Sequence, residues 1–152
     1  MKSFWLSCAT LGPIGYLPAP GTCATLATLP LIYMLAQLEL SMQTYGWVIA
    51  VALGFGYIIV TKALSALDRQ DDPSEIVMDE VLGTLVVFWG LPFTIPSIIL
   101  AVVLFRFFDI TKTLGIGYFE LFCGAWGIIL DDLAAAVLTN VMVHLILMLL
   151  VN

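Results

Sequence analysis

Five carboxylates, Asp79, Glu80, Asp109, Asp131 and Asp132, stand inside or against the apolar runs of this chain. An ionisable side chain in a transmembrane helix costs at least about 2.5 to 3.5 kcal/mol at the helix centre, so acids kept in such places call for a use. Glu75 and Asp79 are four residues apart and share one helix face, with Glu80 beside them. Like charges this close repel unless something positive intervenes. The available basic partners, Arg69, Arg106 and Lys112, are fewer than the carboxylates, which makes a divalent cation the simplest neutraliser. Hard oxygen ligands favour magnesium, calcium or manganese over zinc or copper.

Arg106, Asp109 and Lys112 follow one another at intervals of three and can pair across successive turns. That spacing serves a structural ion-pair ladder or a grip on phosphate by Arg106 or Lys112, and both remain open. The Pro20-Gly21-Thr22 turn, with Thr22 as N-cap of the helix after it, would offer free backbone NH groups and a positive dipole end to an anion. Asp68, Asp71 and Asp72 read as a solvated interfacial loop. His144, twelve residues after Asp132, falls about 18 Å further along a helix and reads as a packed, hydrogen-bonded group rather than a ligand.

No Cys is followed five residues later by Arg, no D-x-D pair occurs, and the single His lies in an apolar run. Any phosphoryl chemistry here therefore requires a metal-activated water. Cys8, Cys23 and Cys123 are widely spaced and odd in number, which supports neither a zinc cluster nor a disulfide framework and leaves them as packing residues.

The elements that must position these groups are membrane helices. Of the 152 residues, 62% are apolar and 11% charged, with a mean hydropathy of +1.10, so the chain reads as a single integral membrane domain, residues 1–152. The net charge of -6, with only five Lys and Arg and no basic run, argues against nucleic-acid binding. Gly12, Pro13, Gly15, Pro18 and Pro20 interrupt the N-terminal apolar stretch, so no cleavable signal peptide is expected.

Four long apolar regions are expected, at 24–40, 46–67, 76–108 and 133–151. The third, about 33 residues with Pro92 and Pro96 near its middle, exceeds the ~20 that one span needs, and reads as a kinked helix or a helical hairpin turning at 91–95. With the hairpin, Lys2, Lys62, Arg69, Arg106 and Lys112 all fall on one side, as the positive-inside rule favours. The expected fold is thus an all-α, polytopic helical bundle with five crossings and a cytoplasmic N-terminus.

Four stretches resemble the phosphatidylglycerophosphatase A family: P-G-T-C-A-T-L at 20–26, E-I-V-M-D-E-V-L-G at 75–83, F-R-F-F-D-I-T-K at 105–112 and G-I-I-L-D-D at 127–132. The resemblance covers nearly the full length, and four motifs in this order are specific where one would not be. Departures are Ala24 where that family usually has Gly, Thr113 where it has Pro, and Ala135 or Ala136 where it has Gly. None removes a charged group.

The resemblance implies a magnesium-dependent phosphomonoesterase that takes the terminal phosphate from phosphatidylglycerophosphate at the cytoplasmic face of the bacterial inner membrane. It also supports the hairpin, which brings the four motifs to one side. On this reading Asp79, Glu80, Asp131 and Asp132 are catalytic and hold one or two magnesium ions, with Asp109 as a further ligand, while Arg106, Lys112 and Thr22 bind the phosphate. Two alternatives remain: a small cation or metal transporter lined by intramembrane acids, and a phosphatase of the same scaffold acting on another lipid phosphate. Oligomeric state is not legible in the sequence.

Overall fold

The computed structural model describes residues 2–68 and 73–151; Arg69, Asp71 and Asp72 lie outside them. Six α-helices follow in order: α1 (Lys2–Ala9), α2 (Pro20–Gln37), α3 (Met42–Leu67), α4 (Met78–Val87), α5 (Ile95–Thr111) and α6 (Ala125–Val151). Short 3-10 turns stand at Ile14–Tyr16 and Ile116–Leu121. There is no strand among the described residues.

Local chemistry explains the boundaries. The helix expected over 24–40 with Thr22 as its cap begins instead at Pro20, with Ala19 at the cap position in a left-handed conformation, φ 54°. Proline at the first helical position loses no hydrogen bond and has its φ already set, so Thr22 sits inside the first turn. Ser41 caps α3 through its hydroxyl, which accepts from the Thr44 NH at 3.1 Å, and Thr94 stands at the cap of α5.

The run 76–108 is divided by residues 88–94 into α4 and α5. The ten residues of α4 rise only about 15 Å, half of a bilayer core. The other departure is α6, which starts at Ala125 rather than near residue 133. Asp131 and Asp132 are therefore inside a helix, because nothing in 125–132 breaks one. Two of the helices, α3 and the Ala125–Leu150 part of α6, are long and apolar enough to cross a membrane. They turn Trp47, Val51, Phe55, Val137, Leu145 and Met148 outward.

The short α4 is the inner element of the bundle, with Asp79 and every residue from Leu82 to Val87 buried. Two glycine positions let neighbours close on it. A Cβ at Gly56 of α3 would lie 2.5 Å from Leu82 Cδ1, and one at Gly83 of α4 would lie 2.6 Å from Phe105 Cζ of α5. One core cluster gathers Leu85, Val87, Phe88, Phe105, Ala135 and Val143, and a second gathers Ala9, Val60, Ala63, Leu82, Ile128 and Ile129.

Carbonyls at the C-terminal end of α4 have no helical partners of their own, and α6 and α3 supply them. Asn140 donates its side-chain amide to Val87 O and Trp89 O, both at 2.8 Å, and the Tyr45 hydroxyl reaches Leu85 O at 3.3 Å. Trp89 Nε1 in turn donates to Met42 O at 3.1 Å. These bonds pin one end of α4; the acids stand at its other end.

Candidate active site

The first turn of α4 carries Asp79 and Glu80, the second turn of α6 carries Asp131 and Asp132, and the last turns of α5 carry Arg106 and Asp109 with Lys112 just beyond. Three of the five carboxylates form a compact group: Asp79, Glu80 and Asp132 each turn an oxygen to within 4.8 Å of the others. Asp79 and Asp132 are 6% and 3% exposed, a burial that makes carboxylate charge costly unless it is compensated.

The remaining two acids are held by the basic residues. Arg106 Nη2 contacts Asp109 Oδ2 at 3.0 Å, and its Nη1 lies 3.7 Å from Glu80 Oε1. Lys112 Nζ donates to Asp109 Oδ1 at 3.1 Å and also to Asp131 Oδ2. Asp131 Oδ1 accepts from the Asp132 NH at 2.9 Å. The spacing that left ladder or phosphate grip open thus forms the ladder, and it extends across to α6.

Lys112 reaches both acids because it ends α5 in the left-handed conformation, φ 48°, which non-glycine residues adopt only where surroundings hold them there. Its partial burial alone would lower its pKa. The hydrogen bond to Asp131 and the negative charges of Asp109, Asp131 and Asp132 outweigh that and push it above the ordinary lysine value.

The first turn of α2 closes the site from the side. A Cβ at Gly21 would fall 2.0 Å from Glu80 Oε1 and 2.6 Å from Arg106 Nη2, so only glycine lets the helix start come this near. Thr22, half-buried, occupies the same turn. Sequence reasoning marked this turn for its free NH groups and missed Gly21 as the contact; the Pro-Gly pair at a helix start was the available signal.

Several polar atoms here are buried without a hydrogen-bond partner among the described residues: Glu80 Oε2, Asp132 Oδ2, Arg106 Nε and Arg106 Nη1. Such atoms are rare in folded proteins and carry a desolvation cost. Carboxylate oxygens and guanidinium nitrogens left over side by side fit a cation and an anion bound together. The oxygen-only donor set suits a hard divalent ion.

Two groups fall elsewhere. His144 Nδ1 lies 2.9 Å from Asn140 O, and the side chain is exposed rather than packed. The three thiols are free, with Cys8 and Cys23 half-buried and Cys123 exposed, so packing does not account for Cys123.

Residues 7–147 match the sequence profile of the family described as Phosphatidylglycerophosphatase A. The chain belongs to the phosphatidylglycerophosphatase A family. A phosphatidylglycerophosphatase A from Haemophilus influenzae is 34% identical over 131 residues, covering 85% of this chain and 79% of that protein. A Bacteroides thetaiotaomicron protein provisionally named a phosphatidylinositol-3-phosphatase is 36% identical over 76 residues, 48% of each chain. No solved structure matches. Membership in the phosphatidylglycerophosphatase A family makes the chain a phosphoric monoester hydrolase. Together with its two long apolar helices, it also makes the chain a membrane protein.

Proposed function

We propose that this protein is a magnesium-dependent phosphatase that hydrolyses phosphatidylglycerophosphate to phosphatidylglycerol and phosphate at the cytoplasmic face of the bacterial inner membrane. The observation that carries the reading is the convergence of Asp79, Glu80 and Asp132 oxygens within 4.8 Å of one another beside Arg106, whose Nε and Nη1 have no hydrogen-bond partner among the described residues. Family membership supplies the reaction class.

Asp79, Glu80 and Asp132 hold the magnesium, with Asp109 beside them bracing Arg106. A magnesium ion bound by these residues would supply the positive charge that lowers the pKa of a water and offsets charge on a phosphoryl oxygen. Arg106 presents Nε and Nη1 to the phosphate, and Lys112, kept protonated by Asp109 and Asp131, adds a second positive charge. The first-turn NH groups of Gly21 and Thr22, at a helix start beside Glu80 and Arg106, would add donors for the same anion. Glu80, through its unpaired Oε2, takes a proton from the attacking water. The water oxygen bonds to phosphorus in line with the glycerol oxygen, whose bond to phosphorus breaks; that oxygen leaves as the hydroxyl of phosphatidylglycerol, taking up the proton that Glu80 removed from the water. Asp131 acts by holding Lys112 rather than by ligating metal.

The same reading assigns α4 and α5 to a hairpin that enters and leaves the membrane on the cytoplasmic side, in a chain with a cytoplasmic N-terminus; α4, half a bilayer core in length, enters without crossing. The approach of Glu80 to Arg106 and the shortness of α4 support it. A second reading, the same chemistry on another lipid phosphate, is favoured by the name of the Bacteroides relative. A cation transporter has no such relative in its support.

The test is phosphate release from a panel of phospholipid phosphates in detergent, with and without magnesium. Release is expected first from phosphatidylglycerophosphate, and Asp79→Asn is expected to lose it while still inserting into membranes. A purified Asp79→Asn protein that kept most of its phosphate release would overturn the metal-site assignment.

A further inference from the structure

Helix α4 starts without a side-chain cap. Val77, its cap residue, has φ -134° and ψ 15° and makes no side-chain capping bond, and Asp79 and Glu80 stand in the turn it opens. A helix start lacking such a bond forgoes about 1 kcal/mol of support, so the first turn of α4 needs anchoring from elsewhere. The opposite end is already held by Asn140 and Tyr45.

The anchor is the N-terminal segment. Ala9 O, at the end of α1, accepts from the Val77 NH at 2.9 Å, and Ala9, Ile76 and Val77 are all buried. Beyond Ala9 the chain closes on itself: the Gly15 NH donates to Thr10 O at 2.8 Å, and Thr10 Oγ1 donates to Gly12 O at 2.9 Å. This closed turn sets Gly15, in the 3-10 turn Ile14–Tyr16, against the loop that precedes α4. A Cβ at Gly15 would fall 2.1 Å from Glu75 O and 2.9 Å from Thr10 Cβ. Gly15 is not among the glycines with positive φ, so space alone, not backbone conformation, calls for glycine. Six residues on, the same segment meets α4 again where Gly21 abuts Glu80.

We infer that Gly15 is a positioning residue for the acidic site: its contact with the Glu75 carbonyl, together with the bond from Val77 to Ala9, fixes where α4 begins and hence where Asp79 and Glu80 stand. The kinetic consequence rests on the phosphatase reading above; the structural one does not. An added methyl meets backbone on one side and its own turn on the other, so no flexible side chain can yield. Restoring ordinary contact moves the loop before α4 by roughly 1 Å. With the far end of α4 held, that displacement falls on the first turn, while Arg106 on α5 and Lys112 at its end stay in place.

Two measurements test this on Gly15→Ala, with native protein and Gly54→Ala, whose Cβ meets nothing within 4 Å, as comparisons. In detergent, the magnesium concentration for half-maximal phosphate release from phosphatidylglycerophosphate is expected to rise by on the order of tenfold in Gly15→Ala. Its kcat should fall by on the order of ten- to a hundredfold, with KM for the lipid unchanged and Gly54→Ala native in all three. Simple destabilisation removes active molecules and lowers kcat alone. That pattern, or native values throughout, would overturn the positioning role while leaving the phosphatase reading intact.

The second measurement needs no turnover. Amide hydrogen exchange without lipid or metal is expected to quicken in Gly15→Ala at Val77, and at Val81 and Leu82, whose NH groups bond back into the first turn of α4, but not at Leu85 to Val87. Unchanged exchange at the first turn, or acceleration spread evenly over α4, would overturn the proposal even if no lipid were hydrolysed. Thr10→Ala, which removes the hydroxyl bond to Gly12 O, perturbs the same turn more gently. It should move the magnesium requirement and the exchange in the same direction by less, so the test does not depend on Gly15→Ala folding.

Discussion

Gly21→Ala adds one methyl group at the contact between α2 and the acidic site, and its consequence follows from distance alone. The new carbon would stand 2.0 Å from Glu80 Oε1, 2.9 Å from Glu80 Cδ and 2.6 Å from Arg106 Nη2. An ordinary contact needs at least about 3.4 Å, so the Glu80 carboxylate must retreat by about 1.4 Å or α2 must lift by a similar amount. Retreat of Glu80 breaks its convergence with Asp79 and Asp132, and lifting α2 takes the helix start away from the phosphate. Misplacement of about 1 Å costs on the order of a hundredfold in rate, while overpacking of this kind destabilises by about 1 to 3 kcal/mol. We therefore expect Gly21→Ala to fold and insert, with phosphate release at about a hundredth of the native rate and a higher magnesium concentration for half-maximal activity. Gly54→Ala is the matched comparison: it is helical, exposed, and a Cβ there meets nothing within 4 Å. That variant should keep full activity and gain up to about 1 kcal/mol from helix propensity. A Gly21→Ala enzyme within threefold of native activity would refute the close approach of α2 to Glu80.

Asp132→Asn is expected to lose at least a thousandfold in rate and its response to magnesium. Asp131→Asn, which leaves Lys112 still bonded to Asp109, should lose about tenfold and keep that response, as a metal titration of both would show. Chelation with EDTA should stop phosphate release and added magnesium restore it, measured in detergent with free zinc as the comparison. Because the Lys112 pKa is raised by its acidic partners, its stabilising charge is fully present below the unfolded lysine value of about 10.4 and is lost only as pH climbs from there through the higher folded value. The melting difference between native protein and Lys112→Met should accordingly stay flat from neutral pH to about 10 and shrink above it. Asn140→Leu removes the donor to Val87 O and Trp89 O, at a cost of about 1 to 3 kcal/mol. A lowered melting temperature in detergent would register it, and an unchanged one would show that those carbonyls find other partners.

The residues of the candidate site could be named from the sequence because charge in an apolar chain is conspicuous. Asp79, Glu80, Asp109, Asp131 and Asp132 could be picked out by desolvation cost, and the apolar runs announced helices by length. What could not be read was the sorting of those acids. The structure divides them into a group of three around Asp132 and a pair, Asp109 and Asp131, tied to Arg106 and Lys112. That division depends on the left-handed turn at Lys112 and the start of α6 at Ala125, neither of which leaves a mark in residue type. Thr22 was misplaced for a related reason: Pro20 is equally at home in a loop and at the first position of a helix.

By itself the sequence determined the all-helical class and the chemical vocabulary: an apolar chain holding more acids than bases, with oxygen donors suited to a hard cation. These follow from composition and short-range spacing, where each residue acts within a few neighbours. Only the tertiary structure decided which oxygens converge, which acid holds Lys112, that Gly21 is the contact rather than Thr22, and that Gly15 abuts the loop before α4. Those relations join residues 21, 80, 106 and 132, which lie far apart along the chain. Their distances are set by helix packing around α4, and no local pattern encodes them.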